Sequence, residues 1–520
     1  MRIDHVVLAG FLLTAAPLAA QAPLSSIDWL NAPEQAPQLA PRATAQPAPQ
    51  RREEPPTASE VRVPEVETME LGAPTVEAVG LLPMQVTGLP ITLWQDSAST
   101  TLIDLIGAVE PAVPAMSALL PTLLLAEANP PRGASRGPSF LAARLDRLLA
   151  QGVVDPAEAL VERAQVDTAQ LFERRFDIAL LTGTVQPACE ALMEDPTLSP
   201  DLGKRIFCMA RNDAYDVALT TLDTARALES VTERDADLLL HFLDPALAEE
   251  SPAPRHPVRP SVLEFRLFEA IGEPLSTTAL PRAFAHVDLN GDTGWKAQLD
   301  AAERLARVGA ISENRLLGIY SLRRRSASGG IWDRVEAIQD FEAALDTGRP
   351  AQIGPALEDV WAQMRSARLL VPFSQLFGAR LAEVELSGRA ATLAWRAALM
   401  SEAYEDAAAT LPTDDPERAF FAGIATGSAP ERVPRGLPHA EAIAAAFRGA
   451  EPPEELQTQL DEGRLGEVIL RAMALFSSGA AGNGDDLTDA LALFRTVGLE
   501  DTARRAALQL ILLEQEGVRQ

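Results

Sequence analysis

Lysine is nearly missing from this chain: only Lys204 and Lys296 occur, and the rest of the 45 basic residues are arginine. Such a bias is a mark of a GC-rich bacterial genome. It also has a chemical consequence, because phosphate-loop and Schiff-base chemistry lean on lysine and few positions here can carry it. Cysteine is limited to Cys189 and Cys208, with no CxxC pair, which argues against a thioredoxin-like redox centre. His241, His256, His286 and His439 are scattered, with no HExxH and no Cys/His cluster, so zinc chemistry lacks a ligand set. Aromatics make up 5% of the residues while hydrophobics reach 47%, so a large core must be built mainly from Ala, Leu and Val. Positive charge is in deficit: the net charge of −28 would repel nucleic-acid phosphates and anionic lipid. It suits a solvated protein or one with basic partners.

Long apolar runs are lacking too. The stretch from Ala112 to Ala126 is interrupted by Pro114 and Pro121 and flanked by Glu110 and Glu127. A membrane span needs ~20 apolar residues, so no transmembrane segment is expected in the mature chain. The opening 22 residues are a different matter. Arg2 precedes an apolar run from Val6 to about Ala16, and small residues offer cleavage after Ala20 or Ala22. That is the layout of a secretory signal peptide (residues 1–22), which implies export to the periplasm of a Gram-negative bacterium. No cysteine lies near the cleavage region to carry a lipid anchor. Residues 23–90 read as a disordered leader rich in Pro, Ala and Glu, as in APEQAPQLAPRATAQPAPQRREEPP, because proline removes backbone donors and little in it can be buried.

Further on, apolar residues fall at helical spacing. Leu141, Leu145, Leu148 and Leu149 form one stripe, and Phe172, Phe176, Ala179 and Leu180 another. Leu357, Val360, Trp361 and Met364, and Leu465, Val468, Ile469, Ala472 and Phe476, repeat the pattern. Asp155-Pro156, Ser199-Pro200 and Asp415-Pro416 read as cap-proline helix starts, and Thr232 to Asp235 as a variant capping box. The one weak strand candidate runs from Val86 to Trp94. The expected fold is all-α: an irregular helical-repeat array, an α-solenoid of tetratricopeptide-like pairs without the tetratricopeptide signature, following the leader. Its first half spans residues 91–250, a Pro-rich hinge SPAPRHPVRP covers 251–260, and its second half spans 261–520. Cys189 and Cys208 fall on consecutive predicted helices, equidistant from the turn at Asp195 to Ser199. In an oxidising compartment they should pair as a disulfide.

Chemical motifs are few. Gly133 to Gly137 spells G-x-S-x-G but lacks the preceding strand that a nucleophile elbow needs, and reads as a loop. Asp288, Asn290 and Asp292 match the first ligands of a calcium loop, but Thr293 replaces the turn glycine and Leu299 stands where the bidentate Glu should be. A turn capping the helix that begins near Trp295 is the better reading. Glu229-Ser230 and Glu250-Ser251 resemble the catalytic pair of lytic transglycosylases, yet the accompanying GLMQ stretch is absent. Arg323, Arg324 and Arg325, followed by a Gly-rich loop, are a candidate contact for an anion or an acidic partner, or a basic helix end complementing its dipole.

The segments FLAARLDRLLAQGVVDPAEAL, FERRFDIALLTG, KRIFCMARND, EFRLFEAIGEPL, LPRAFAHVDL and SASGGIWDRVEA make the stretch from about Phe140 to Arg334 resemble an uncharacterised family of exported alphaproteobacterial helical proteins. Some of its members carry an antifreeze label, although no regular threonine face of the kind that binds ice occurs in this sequence. The resemblance implies export and a helical fold, and no activity. With no catalytic cluster and no cofactor implied, the expected function is a non-enzymatic periplasmic scaffold or adaptor that binds protein partners of the cell envelope. The alternative is a peptidoglycan enzyme or accessory factor with a non-standard site.

Overall fold

A computed structural model describes residues 75–518 except 135–136, 166–167, 247–251, 253, 291–292, 325–327, 411–414 and 429–431. The chain divides into Met1–Met69, which lies outside the described residues together with the signal peptide and most of the leader, and Glu70–Gln520. The described residues are all-helical, with no strand among them and only isolated bridges such as Leu82 to Ala126.

The helices follow from the apolar stripes. In Ser139–Gln151, Leu141, Leu145 and Leu148 are buried, and the helix stops at Gly152, whose φ of 85° is left-handed. A Cβ there would also run into Leu305. Phe172, Phe176, Ala179 and Leu180 are buried along Ala169–Thr182, and Leu357, Val360, Trp361 and Met364 along Pro350–Ser366. The starts were partly misplaced by sequence. Asp415 does cap Pro416–Ala425, accepting from Glu417 N–H, and Thr232 caps Glu233–Leu243 through Asp235 N–H. Asp155, however, lies inside the first turn of Val154–Ala164 and faces His286 and Arg315 instead. Asp201, not Ser199, caps Leu202–Arg211, while Ser199 Oγ donates to Glu173. The segment from Val86 to Trp94 is turns and a short helical piece, not a strand. Pro121 sits within the single helix Pro114–Leu125 rather than breaking it.

Two hydrophobic clusters organise the chain. The smaller runs from Phe172 to Phe268, where successive helices pack on one another. It contains Leu239 and Leu243 on one side of residues 251–260 and Leu263, Leu267 and Phe268 on the other, and His256 packs edge-on against Phe268 at 5.1 Å. Packing therefore runs across the segment expected as a hinge. The larger cluster joins residues before and after this lobe, from Leu89 to Val518.

The first and last helices meet within that larger cluster. Ala115 N–H donates to Gln509 Oε1 at 2.8 Å, Ser477 Oγ to the Glu110 carbonyl at 2.6 Å, and Gly466 N–H to the Leu93 carbonyl at 2.9 Å. Gly466 is required there, because a Cβ would overlap the Trp94 ring. Residues 75–90, expected as the end of the leader, are part of the body. Glu77 accepts from Phe140 N–H at 3.0 Å and Leu141 N–H at 2.6 Å, capping Ser139–Gln151 in place of Pro138. Arg144, 1% exposed, donates to the carbonyls of Leu124 at 2.6 Å and Val79 at 2.7 Å. Burial pushes its pKa down to about 10, opposed by the nearby Glu77 carboxylate.

Removing one member of a buried charge network costs about 3–5 kcal/mol, whereas an exposed pair is worth ~1 kcal/mol or less. Arg144→Met should therefore destabilise far more than Arg174→Ala, which breaks the surface pair with Asp146, in urea unfolding. Equal losses would contradict the role given to Arg144. A second prediction concerns Glu467, which is fully buried. Burial pushes its carboxyl up, but hydrogen bonds from Arg464 and Arg471 outweigh this and hold it below its ordinary 4.5. A depressed carboxylate stabilises above its unfolded pKa, and that stability is lost as pH falls through the folded value. The stability gap between wild type and Glu467→Gln should close as the pH drops below 4.5. Urea melts at about pH 7, 5 and 3 read it, and a gap that widens with acid would refute the pairing.

Candidate functional site

A cavity of about 500 Å³ is lined by Arg147, Arg282, Arg304, Arg307 and Arg368, with Glu110 as the one carboxylate among its lining residues. Helix ends deliver these side chains. Arg147 and Gln151 lie in the last turns of Ser139–Gln151, and Arg304 and Arg307 at the end of Trp295–Ala306. Arg282 opens the 3-10 segment Arg282–Leu289, and Arg368 follows Pro350–Ser366 with a left-handed φ of 57°.

Three of the five arginines are braced against backbone carbonyls. Arg147 donates to Val109, Arg304 to Thr277 at 2.8 Å and to Leu280, and Arg307 Nε to Ala367 at 2.7 Å. Carbonyls at helix and loop ends carry only partial charge. They fix these side chains without neutralising them. Arg147 also meets Glu110 at 3.1 Å, and Arg307 meets Glu303 at 3.2 Å, but Glu303 is shared with Arg334 at 2.6 Å. Arg282 and Arg368 are exposed, with no carboxylate partner among the described residues. The imbalance is visible in Arg304: burial lowers its pKa, and repulsion from Arg282 and Arg307 lowers it further. Arg147 Nε and Gln151 Oε1, atoms of two lining residues, are themselves shut off from solvent and have no hydrogen-bond partner among the described residues.

Two other cavities carry more carboxylates than cations. One of about 380 Å³ between the first and last helices contains Arg505, which lies 4.0 Å from Glu402 and 3.8 Å from Asp501. Another of about 510 Å³ holds Arg234 paired with Glu264 at 2.8 Å. Neither leaves a cation over.

The sequence-predicted residues lie elsewhere. Cys189 and Cys208 form a disulfide with Cα atoms 5.0 Å apart, joining Gln186–Glu194 to Leu202–Arg211 inside the smaller cluster. Arg323 and Arg324 are exposed just beyond Glu313–Tyr320, and Arg325 lies outside the described residues. Neither Arg323 nor Arg324 lines the arginine cavity. Asp288 accepts a hydrogen bond from Thr277, and burial pushes its carboxyl up, which works against cation binding; Asp292 lies outside the described residues. Among the described residues, no group of three His, Cys, Asp or Glu is arranged to hold a metal ion. Lys204 is committed to Glu173 at 2.5 Å and Asp177 at 3.0 Å. Ser135 of the G-x-S-x-G match, and the Glu250-Ser251 pair, lie outside the described residues, while Glu229 is an exposed residue with φ of 52°. The cavity arginines come from distant parts of the chain, and only Arg304 and Arg307, one turn apart, hinted at a shared face.

Comparison with protein-family models, curated proteins and solved structures found no match.

The bridge is directly testable. Unfolded without reductant, the protein should take up no thiol reagent, and reduction should expose both cysteines. Replacing both with serine removes a loop constraint worth about 3 kcal/mol at this separation. Labelling before reduction, or unchanged stability in the double variant, would contradict a structural bridge.

Proposed function

We propose that this chain is an exported, non-enzymatic helical binding protein of the bacterial periplasm, a scaffold or adaptor that holds an anionic group of its partner or ligand in the arginine cavity. The observation that carries this reading is the set of five arginines facing one glutamate on a chain of net charge −28. A surplus of like charge is unfavourable when empty and is relieved by an anion, which also stabilises the folded state by mass action. The disulfide supports an oxidising compartment, and no helix among the described residues is long and apolar enough to cross a membrane. The irregular helical repeat belongs to the same proposal: between Ala169–Thr182 and Val262–Ala270, helices pack on their successors, as repeat scaffolds do. The alternative, a peptidoglycan enzyme, is less well served. Glycoside hydrolysis commonly uses two carboxylates, and this cavity offers only Glu110, already paired with Arg147.

Isothermal titration of the purified chain with inorganic phosphate, pyrophosphate and citrate tests the reading. At least one of these anions should bind, more weakly as salt rises. Arg282→Ala with Arg368→Ala should lower that affinity by about 10-fold or more, since a hydrogen bond to a charged group is worth about 1.5–3 kcal/mol. The same variant should keep or raise its melting temperature, because neither side chain is buried or paired and their loss relieves the repulsion on Arg304. Arg323→Ala with Arg324→Ala should bind as wild type does. Absence of binding by all three anions, or equal affinity in the Arg282/Arg368 variant, would overturn the proposal. Turnover of cell-wall fragments by the pure protein would favour the enzyme instead.

A further inference from the structure

The cavity of about 380 Å³ between the first and last helices has the opposite sign of charge and shares no lining residue with the arginine cavity. Glu313, Glu402 and Asp501 line it against one cation, Arg505. Arg505 meets Glu402 and Asp501 only at 4.0 and 3.8 Å, and Glu313, half-buried, has no ion-pair partner among the described residues. A second observation points to an occupant. Gln509, 2% exposed, lines the same cavity from the helix Glu500–Gln515. Its Oε1 accepts from Ala115 N–H at 2.8 Å, which fixes the orientation of the amide, because a backbone N–H can only donate. Gln509 Nε2 then has no hydrogen-bond partner among the described residues, and it is not shut off from solvent. Buried polar groups are normally satisfied, so an open donor on an otherwise buried side chain calls for an acceptor. We infer that this cavity binds a basic peptide segment of a protein partner: an arginine or lysine side chain meets the carboxylates, and a peptide carbonyl meets Gln509 Nε2.

Each part of such a segment has a counterpart. A basic side chain carries a long apolar stem beneath its charged head. Leu119, Val371 and Pro372 give the stem a buried apolar wall, while Glu402 and Asp501, 81% and 65% exposed, meet the head close to water. Gln375 adds an acceptor: its Nε2 donates to the Met400 carbonyl at 3.4 Å, and its Oε1 has no partner among the described residues. A free protonated amine would leave Gln509 Nε2 unmet, because it has no lone pair to offer; a peptide carbonyl has two. Met84, Val86 and Ile91 are at least half exposed and flank the lining residues Thr87 and Leu89 in the sequence, so apolar residues beside the basic one also have contacts to make. The net charge of −28 draws a basic segment toward the chain. Ligand pockets commonly run to ~300–1,000 Å³, and about 380 Å³ suits one side chain with its peptide groups.

The experiment titrates the full chain, at matched ionic strength, with the capped peptides acetyl-Leu-Arg-Leu-amide and acetyl-Leu-Lys-Leu-amide. Its controls are the arginine peptide with neutral citrulline in place of arginine, and butylguanidinium, a cation on an apolar stem without a carbonyl. At least one basic peptide should bind, about 5-fold or more tightly than either control, since an ion pair near the surface and a buried donor's partner are each worth about that much. Glu313→Gln with Glu402→Gln should lower the peptide's affinity by about 5-fold or more and leave the melting temperature unchanged; Asp501 is kept because it also accepts from Tyr404 Oη–H at 2.8 Å. Gln509→Glu keeps an oxygen for Ala115 N–H and removes the Nε2 donor, so it should narrow the gap between peptide and butylguanidinium. Equal binding of the citrulline peptide, or unchanged affinity in the Glu313/Glu402 variant, would overturn the charge match. Butylguanidinium binding as tightly as the peptide, or an unchanged gap in Gln509→Glu, would overturn the peptide assignment. Absence of binding by both basic peptides would overturn the inference as a whole, and the anion site would stand or fall on its own titration.

Discussion

The structure depends on one buried cation. Arg144 has no water to solvate it, so its charge must be met by protein, and it gathers carbonyls from either end of the segment it lies beneath. Val79 belongs to the chain entering the fold, and Leu124 and Ala126 to the end of Pro114–Leu125. Glu77, two residues from Val79, an acceptor of Arg144, caps the helix that carries it. The arrangement is circular: the cation orders the strap, and the strap supplies the carboxylate that caps the cation's own helix. One turn further along, Arg147 enters the cavity. The same helix therefore fixes the fold through Arg144 and contributes Arg147 to the cavity wall.

Arginine serves a purpose here that lysine could not. Its planar fork spans two carbonyls at once, as Arg304 does with Thr277 and Leu280 and Arg266 with Leu180 and Leu181. This use binds helix ends together without consuming a carboxylate, so positive charge can accumulate locally in an acidic protein. Elsewhere the charge is cancelled in tight sets, such as Glu303 with Arg334 and Tyr320, or Glu467 with Arg464 and Arg471. The cavity is where bracing by carbonyls prevails over pairing with acids.

What could be read from the sequence was local. Stripes at helical spacing, the caps at Asp415 and Thr232, and the cysteine pair across a short turn all depend on residues near one another in the chain. Asp155 shows where such reading stops: its cap-proline signature was sound, but His286 and Arg315, far along the sequence, recruit the carboxylate. The adjacent triplet at Arg323 drew attention because it was contiguous, whereas the structure concentrates positive charge from residues dispersed between 147 and 368. The meeting of first and last helices was equally hidden, since Gly466 and Trp94 give no hint of each other until they are packed.

That meeting sets an order of events during folding. Trp94 and Ala115 are made long before their partners Gly466 and Gln509; Ala115 and Gln509 are 394 residues apart. Contacts so distant in sequence are slow to form, and until they do, apolar surface on the early helices is uncovered. The lobe from Phe172 to Phe268, closed by mostly local contacts and its own disulfide, has no such wait. The middle lobe is thus assembled mostly from near neighbours, while the larger body is completed only by contacts between segments far apart along the chain.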